Sequence, residues 1–260
     1  MLATLHAKAI DAALRDSVLN DQWARRIVDQ IDYDWSRTTM NARNAPSVSL
    51  RSAHFDGWTR QFLAVHPDAA VLHLGCGLDS RFFRLAPGPG VDWYDVDYPD
   101  VIALRERFYP AAARYHLIAA SVTDPAWVTA VPADRPALVV AEGLTMYLTE
   151  NDGTALLRRL VGHLPSGELQ FDAFSRLGIA LQWTNPVVRR SGSTLQWGID
   201  RPGDILDAVP GTRLLAWVPV FESGAFEALP ALPRTYRLAA RLMNRVPGLR
   251  TMAQFHRYAF

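Results

Sequence analysis

The sequence predicts an α/β protein built on a doubly wound, mostly parallel sheet. Two observations carry that expectation. From residue 70 onward, apolar runs of strand length alternate with stretches of helical spacing. The first of those runs ends in a glycine turn, "VLHLGCGLDSRFF", that passes at once from strand into helix.

The elements follow in order. The first 66 residues read as mostly helical. Leu2 to Leu19 has apolar residues at helical spacing, Gln22 to Ile31 continues the pattern, and Val48 to Val65 supplies another helix. The stretch "DYDWSRTTMNARNAPS" is polar and aromatic and reads as loop or short helices. Ala70 to Leu74 is the first strand, and Arg81 to Leu85 begins a short helix. Val91 to Val96 is the second strand, with a helix from Pro99 to Phe108 behind it. Tyr115 to Ala119 and Ala137 to Ala141 are the third and fourth strands. Glu150 to Leu164 is an amphipathic helix, and Glu168 to Phe174 is the fifth strand. The last third is less regular. It holds a loop-and-helix segment from Leu177 to Gly198, a helix from Pro202 to Ala208 and a strand from Arg213 to Val218. A helix from Arg234 to Arg245 and a closing strand from Ala253 to Phe260 complete it. The six arginines from Arg234 onward read as a solvated surface or, alternatively, as a face for an anionic ligand.

Composition narrows the class. At 260 residues the chain is long enough for one large domain, or for one domain with an appendage. A net charge of +1 gives no reason to expect nucleic acid or an acidic partner. Of the 27 basic residues only Lys8 is lysine, a bias that reads as genome composition. One cysteine, Cys76, excludes an internal disulfide and a cysteine-rich metal site; within its glycine turn it reads as a small filler. The opening "MLATLHAKAIDAALRD" is charged throughout and is not a secretory signal. No apolar run approaches the ~20 residues that a membrane span needs. The expectation is a soluble cytoplasmic protein with a small-molecule partner, no nucleic acid, no membrane and no metal.

The glycine turn carries the chemistry. Glycines after a buried strand let backbone approach a ligand closely and bring a helix N-terminus near it. Asp97 stands at the end of the second strand, twenty residues beyond Gly77, where an acid accepts both hydroxyls of a ribose. A nicotinamide dinucleotide normally asks for G-x-G-x-x-G, but the sixth position here is Ser80, with the acid Asp79 beside it. That acid repels a pyrophosphate. S-adenosylmethionine has no phosphate, so Asp79 and Asp97 together favour it. In "VVAEGLTMYLTE", Glu142 and Gly143 stand at the carboxyl end of the fourth strand, where sheets of this kind bind ligands. Glu142 there either holds an ammonium or caps the helix that follows.

At these residues the sequence resembles the leucine carboxyl methyltransferase family, and within it the polyketide-synthesis O-methyltransferases of tetracenomycin type. The likeness rests on "LGCGLDSRFFRL", "WYDVDYPDVIALR", "SVTDPAWV", "AEGLTMYL" and "HRYAF", in the family's order from about residue 45 to the end. It implies a class I S-adenosylmethionine-dependent methyltransferase fold, Rossmann-like, with a seven-stranded sheet and an antiparallel last strand. It also implies a helical cap over residues 1–66, a core over residues 67–260, and an acceptor-covering insert at about residues 177–198.

By the same resemblance, Arg51 binds the methionyl carboxylate. Gly75, Cys76 and Gly77 give backbone contacts, with Asp79 in the same signature, and Asp97 holds the ribose. Ser121 and Val122 meet the adenine, and Glu142 lies near the methionyl amino group. Family members often carry an acid where Ser121 stands, and an N-terminal lysine of some members finds no convincing match. Arg81 either braces the turn or positions the acceptor, Tyr147 either faces the acceptor or is a core or rim residue, and Trp183, Trp197 and Arg189 are candidates for lining the acceptor pocket.

Methyl transfer from a sulfonium is an in-line displacement that needs the acceptor oxygen held about 3 Å from the methyl carbon. An acceptor carboxylic acid of pKa about 4 is already ionised at neutral pH, whereas a phenol of pKa about 10 gains from a base. None of His54, His73, His163 and His256 reads as an acceptor-side base. The expectation is therefore an O-methyltransferase of secondary metabolism acting on an aromatic or polyketide-like carboxylate or hydroxyl. Its rivals are a protein C-terminal carboxyl methyltransferase, a non-catalytic binder that kept the fold, and a nicotinamide-dependent reductase.

Overall fold

A computed structural model describes residues 1–184, 188–189, 192–220 and 234–260. Seven strands form one sheet in the order β3-β2-β1-β4-β5-β7-β6. They are β1 (Ala70–Leu74), β2 (Asp92–Asp97), β3 (Tyr115–Ala119), β4 (Ala137–Ala141), β5 (Gly167–Phe174), β6 (Arg213–Pro219) and β7 (Ala253–Ala259). The first five are mutually parallel, and β7 runs antiparallel between β5 and β6. The strand order reverses between β1 and β4, which opens a crevice at their carboxyl ends.

Both faces are covered, as the uninterrupted apolar runs of β1 and β4 require. Leu72 and Leu74 of β1 face a layer that includes Leu156, Leu157 and Leu160 from α6 (Glu150–His163). Val71 faces the other way, onto Phe55, Trp58 and Phe62 of α3 (Ala45–Val65). So α3, which the sequence division assigns to the cap, also forms a layer of the sandwich.

The remaining N-terminal helices are α1 (Leu2–Ala12) and α2 (Gln22–Val28), and they pack Leu5, Ala9, Ala24 and Ile27 against Leu78 and Tyr109. α1 stops seven residues short of the expected Leu19. Asp11 accepts from the Ser17 hydroxyl at 2.8 Å and from the amides of Val18 and Leu19 at 3.1 and 3.0 Å, which turns the chain back on itself. α4 (Arg81–Leu85) packs Phe82 and Leu85 into the layer of α3, and the sheet is further flanked by α5 (Pro99–Phe108), α7 (Arg176–Ala180) and α8 (Pro202–Ala208), whose Ile205 joins the layer of α6. α9 (Arg234–Arg245) and α10 (Pro247–Arg250) precede β7. Among the described residues no helix is long and apolar enough to cross a membrane.

Candidate active site

A cavity of about 760 Å³ opens at the carboxyl ends of β1, β2 and β4 and runs beneath α1. Its floor is the glycine turn. Gly75 and Gly77 have φ of +60° and +52°, a conformation that side chains resist, and Gly143 across the crevice has +69°. Asp97 ties the turn to β2, accepting from the Gly77 amide at 2.7 Å through Oδ2 and from the Tyr98 amide at 2.8 Å through Oδ1. Each oxygen keeps a further acceptor position for a ligand hydroxyl. From behind, Arg105 donates to the carbonyls of Gly77 and Asp79 at 2.8 and 2.9 Å and pairs with buried Asp95.

The opposite wall is a cluster of buried charges. Arg51 donates through Nε to Glu142 at 3.0 Å and through Nη1 to Asp172 at 3.1 Å. Its Nη2 lies 3.2 Å from where a Cβ on Gly143 would stand, so the glycine leaves room for it. Glu142 Oε1 also accepts from the Ser52 hydroxyl at 2.8 Å, and Oε2 accepts from Arg81. Burial alone would raise the Glu142 pKa, but Lys8, Arg81 and Arg51 outweigh it and hold the carboxyl well below its usual range. Asp79 is under the same contest, and Arg84, Lys8 and Arg81 win there too. Asp172 goes the other way: burial lifts its pKa against the pull of Arg51. Burial pushes the Cys76 thiol well up, which leaves it protonated and unreactive.

Away from the charges, the cavity is walled by Val48, Met146, Tyr147, Phe174, Val188 and Leu195. Met146, Val188 and Leu195 form one apolar cluster, with Phe174 against it.

The leucine carboxyl methyltransferase family model matches residues 1–161. Over the whole chain, 42% of residues are identical to the tetracenomycin polyketide synthesis O-methyltransferase of Streptomyces glaucescens, with 95% of that protein covered. The chain belongs to the leucine carboxyl methyltransferase family. A second relative, an S-adenosyl-L-methionine-dependent methyltransferase of Gibberella zeae, is 37% identical over 82% of this chain and 78% of its own length. Among solved structures, a DUF574 family protein of Streptomyces avermitilis aligns with a TM-score of 0.62 at 12% identity, covering 99% of this chain and 96% of that one. The magnesium protoporphyrin IX methyltransferase of Synechocystis, solved with bound SAH, aligns at 0.50 and 11% identity, covering 92% and 94%. These two likenesses establish the class I methyltransferase fold.

Within this family member, the cavity brings together Arg51, Gly75, Cys76, Gly77, Asp79, Asp97, Val122, Glu142 and Tyr147. Ser121 is not on it. Its hydroxyl turns to Thr123 at 2.8 Å, and Ala120 takes its place on the wall. Arg81 is wholly buried behind the turn, between Asp56 at 2.9 Å and Glu142, so it braces the site and does not reach an acceptor. Trp183 is 65% exposed and stands off the cavity. Trp197 points into the core and fills the notch at Gly153, where a Cβ would lie 2.1 Å from its ring. Arg189 is exposed and does not line the cavity, and Arg190 lies outside the described residues. His54 is packed between Trp58 and Phe255. His73, at the cofactor end, holds Asp95 at 3.0 Å.

Two residues of the site went unread in the sequence. Lys8 is buried, lines the cavity and sits 3.1 Å from Asp79. Its signal was present, as the one lysine among 27 basic residues. Asp172 accepts from the Gly143 amide as well as from Arg51, and nothing local to "LQFDAF" marks it.

Proposed function

We propose that this chain methylates an oxygen of a small aromatic or polyketide-like acceptor in secondary metabolism, working in the cytoplasm with S-adenosylmethionine as methyl donor. The observation that carries the reading is the convergence of Gly75, Gly77, Asp97, Glu142 and Arg51 on one cavity in a chain of this family. The donor set fits the cofactor. Asp97 would take the ribose hydroxyls on its remaining acceptor positions. Arg51 Nη2 would take the methionyl carboxylate, and the second acceptor position of Glu142 Oε2 would take the ammonium. Ala120 and Val122, with Tyr98 and Val101, line the same cavity and would contact the adenine. The acids Asp79, Asp97 and Glu142 on the wall disfavour a pyrophosphate.

S-adenosylmethionine, when bound, supplies a methyl group on a positively charged sulfur. The protein's part is to hold an acceptor oxygen in line with that methyl and to exclude water. Among the described residues walling the acceptor end there is no histidine, aspartate or glutamate. Burial raises the Tyr147 pKa, so its phenol stays protonated and serves as a hydrogen-bond donor and not as a base. The site therefore suits an acceptor that is already ionised, such as a carboxylate, or a hydroxyl activated by placement alone. The division into a cap over residues 1–66 and a core over residues 67–260 is part of the same proposal. Lys8 and Leu5 of α1 on the cavity wall support it.

Calorimetric titration with S-adenosylhomocysteine, and separately with NADH, tests the reading. Micromolar binding of the first alone is expected. Binding of NADH alone, or of neither, overturns it.

A further inference from the structure

The cofactor residues Gly75, Gly77 and Asp97 stand at the ends of β1 and β2, and the apolar wall of the cavity lies further along the sheet. Met146 follows β4, Phe174 ends β5, and Leu195 comes from a segment that is neither strand nor helix. That segment is held to the sheet end bond by bond. The Ile199 amide donates to the Phe174 carbonyl and the Gln196 amide to the Met146 carbonyl, each at 2.8 Å. Leu195 is held by a side chain instead. Its amide donates to Gln182 Oε1 at 2.8 Å, and its carbonyl accepts from Gln182 Nε2 at 3.1 Å.

Leu195 is 4% exposed, so its backbone groups need partners within the protein. A carboxamide offers one acceptor and one donor side by side, which matches the N–H and C=O of a single residue. Gln182 thus takes the part of a neighbouring strand for Leu195 alone. Gln182 itself stands off the cavity, on the short turn Gln182–Thr184 that follows α7. Leu195 is on the cavity, packed with Met146 and Val188, and Phe174 lies against the three. We infer that Gln182 is a positioning residue for the acceptor, and that by holding both backbone groups of Leu195 it fixes the wall on which a flat apolar acceptor lies. The inference rests on the methyltransferase reading and adds to it the residue that keeps the acceptor wall in place.

The test is calorimetric titration of the full-length protein, saturated with S-adenosylhomocysteine, with 2-naphthol at about pH 8 and about pH 5. A phenol of pKa about 10 is neutral at both, so the wild-type protein should bind it equally well at either pH. Gln182→Ala should weaken 2-naphthol binding about tenfold at both, the return expected of one or two lost hydrogen bonds. Gln182→Glu carries the same fork and separates positioning from mere bulk. As a carboxylate it offers acceptors only and faces the Leu195 carbonyl with charge; protonated, it offers an acceptor and a donor as glutamine does. Burial beside that carbonyl raises its pKa from about 4.3, so binding should be weak at pH 8 and recover at pH 5. Affinity for S-adenosylhomocysteine should be unchanged in both variants. A wild-type protein that does not bind 2-naphthol overturns the inference, as does a Gln182→Ala protein that binds it as tightly as wild type. So does a Gln182→Glu protein indifferent to pH, or a loss of S-adenosylhomocysteine affinity in the same proportion, which would make Gln182 a general structural residue. Failure of the underlying reading shows earlier and separately, as no heat with S-adenosylhomocysteine before any probe is added.

Discussion

Asp97 ends β2 with both carboxylate oxygens on backbone amides, so its replacement acts on ligand and turn together. Asp97→Ala should weaken S-adenosylhomocysteine binding by about 1.5–3 kcal/mol, the worth of hydrogen bonds to a charged group. Calorimetry reads the loss, and circular dichroism should show the sheet intact. Asp172 makes a sharper probe, because asparagine keeps an acceptor for the Gly143 amide and gives up only the charge facing Arg51. Asp172→Asn should raise the KM for S-adenosylmethionine several-fold and change kcat little. An equal fall in both would mean that Asp172 acts on the transition state instead. At this scale the sequence was a good guide wherever a residue sits beside a motif. Gly75, Gly77, Asp97 and Glu142 were all legible from their places at strand ends. Trp183 and Trp197 were not, because an aromatic ring in an irregular segment carries no mark of which side it turns to. The notch at Gly153 that receives Trp197 lies 44 positions away.

Among elements, the strands were legible to within a residue or two. β1 and β4 are buried on both faces, so their apolar runs end where burial ends. Helix ends depend on side chains that reach back to the chain, and Asp11 closes α1 well before its apolar spacing lapses. The contact of α6 with the segment carrying Trp197 is tight enough to test. Gly153→Ala places a methyl against the indole ring, and overpacking of this kind costs about 1–3 kcal/mol. Urea denaturation should show the fall in midpoint, and Gly162→Ala on the same helix, where a Cβ meets nothing within 4 Å, should show none.

For the molecule as a whole, acid stability has an identifiable first term. His256 of β7 is buried, with Nδ1 2.8 Å from the Tyr258 hydroxyl and its ring stacked on Phe171, and burial pushes its pKa down to about 3. The unfolded chain binds this proton near pH 6.5 and the folded chain does not. Stability is therefore full above about pH 6.5 and falls by roughly 1.4 kcal/mol per pH unit below it, until the folded histidine titrates in turn. His54, pushed down to about 4 by burial, adds a term of the same sign. The carboxyls of Glu142, Asp79 and Asp56, held low by their arginines, begin to contribute only below about pH 4, where the unfolded carboxyls protonate. Urea midpoints between pH 7.5 and 4.5 measure the slope, and His256→Asn should flatten it. The sheet order has one more consequence, in the timing of synthesis. β6 is made before β7, yet its place in the sheet is at the edge, paired to β7 and separated from β5 by it. On the ribosome, β1 to β5 and the glycine turn can assemble as they emerge, while β6 waits with its backbone unpaired until residues 253–259 arrive. During that interval the growing chain exposes an open β5 edge, and a nascent-chain assay should find it most prone to chaperone capture between β6 and β7.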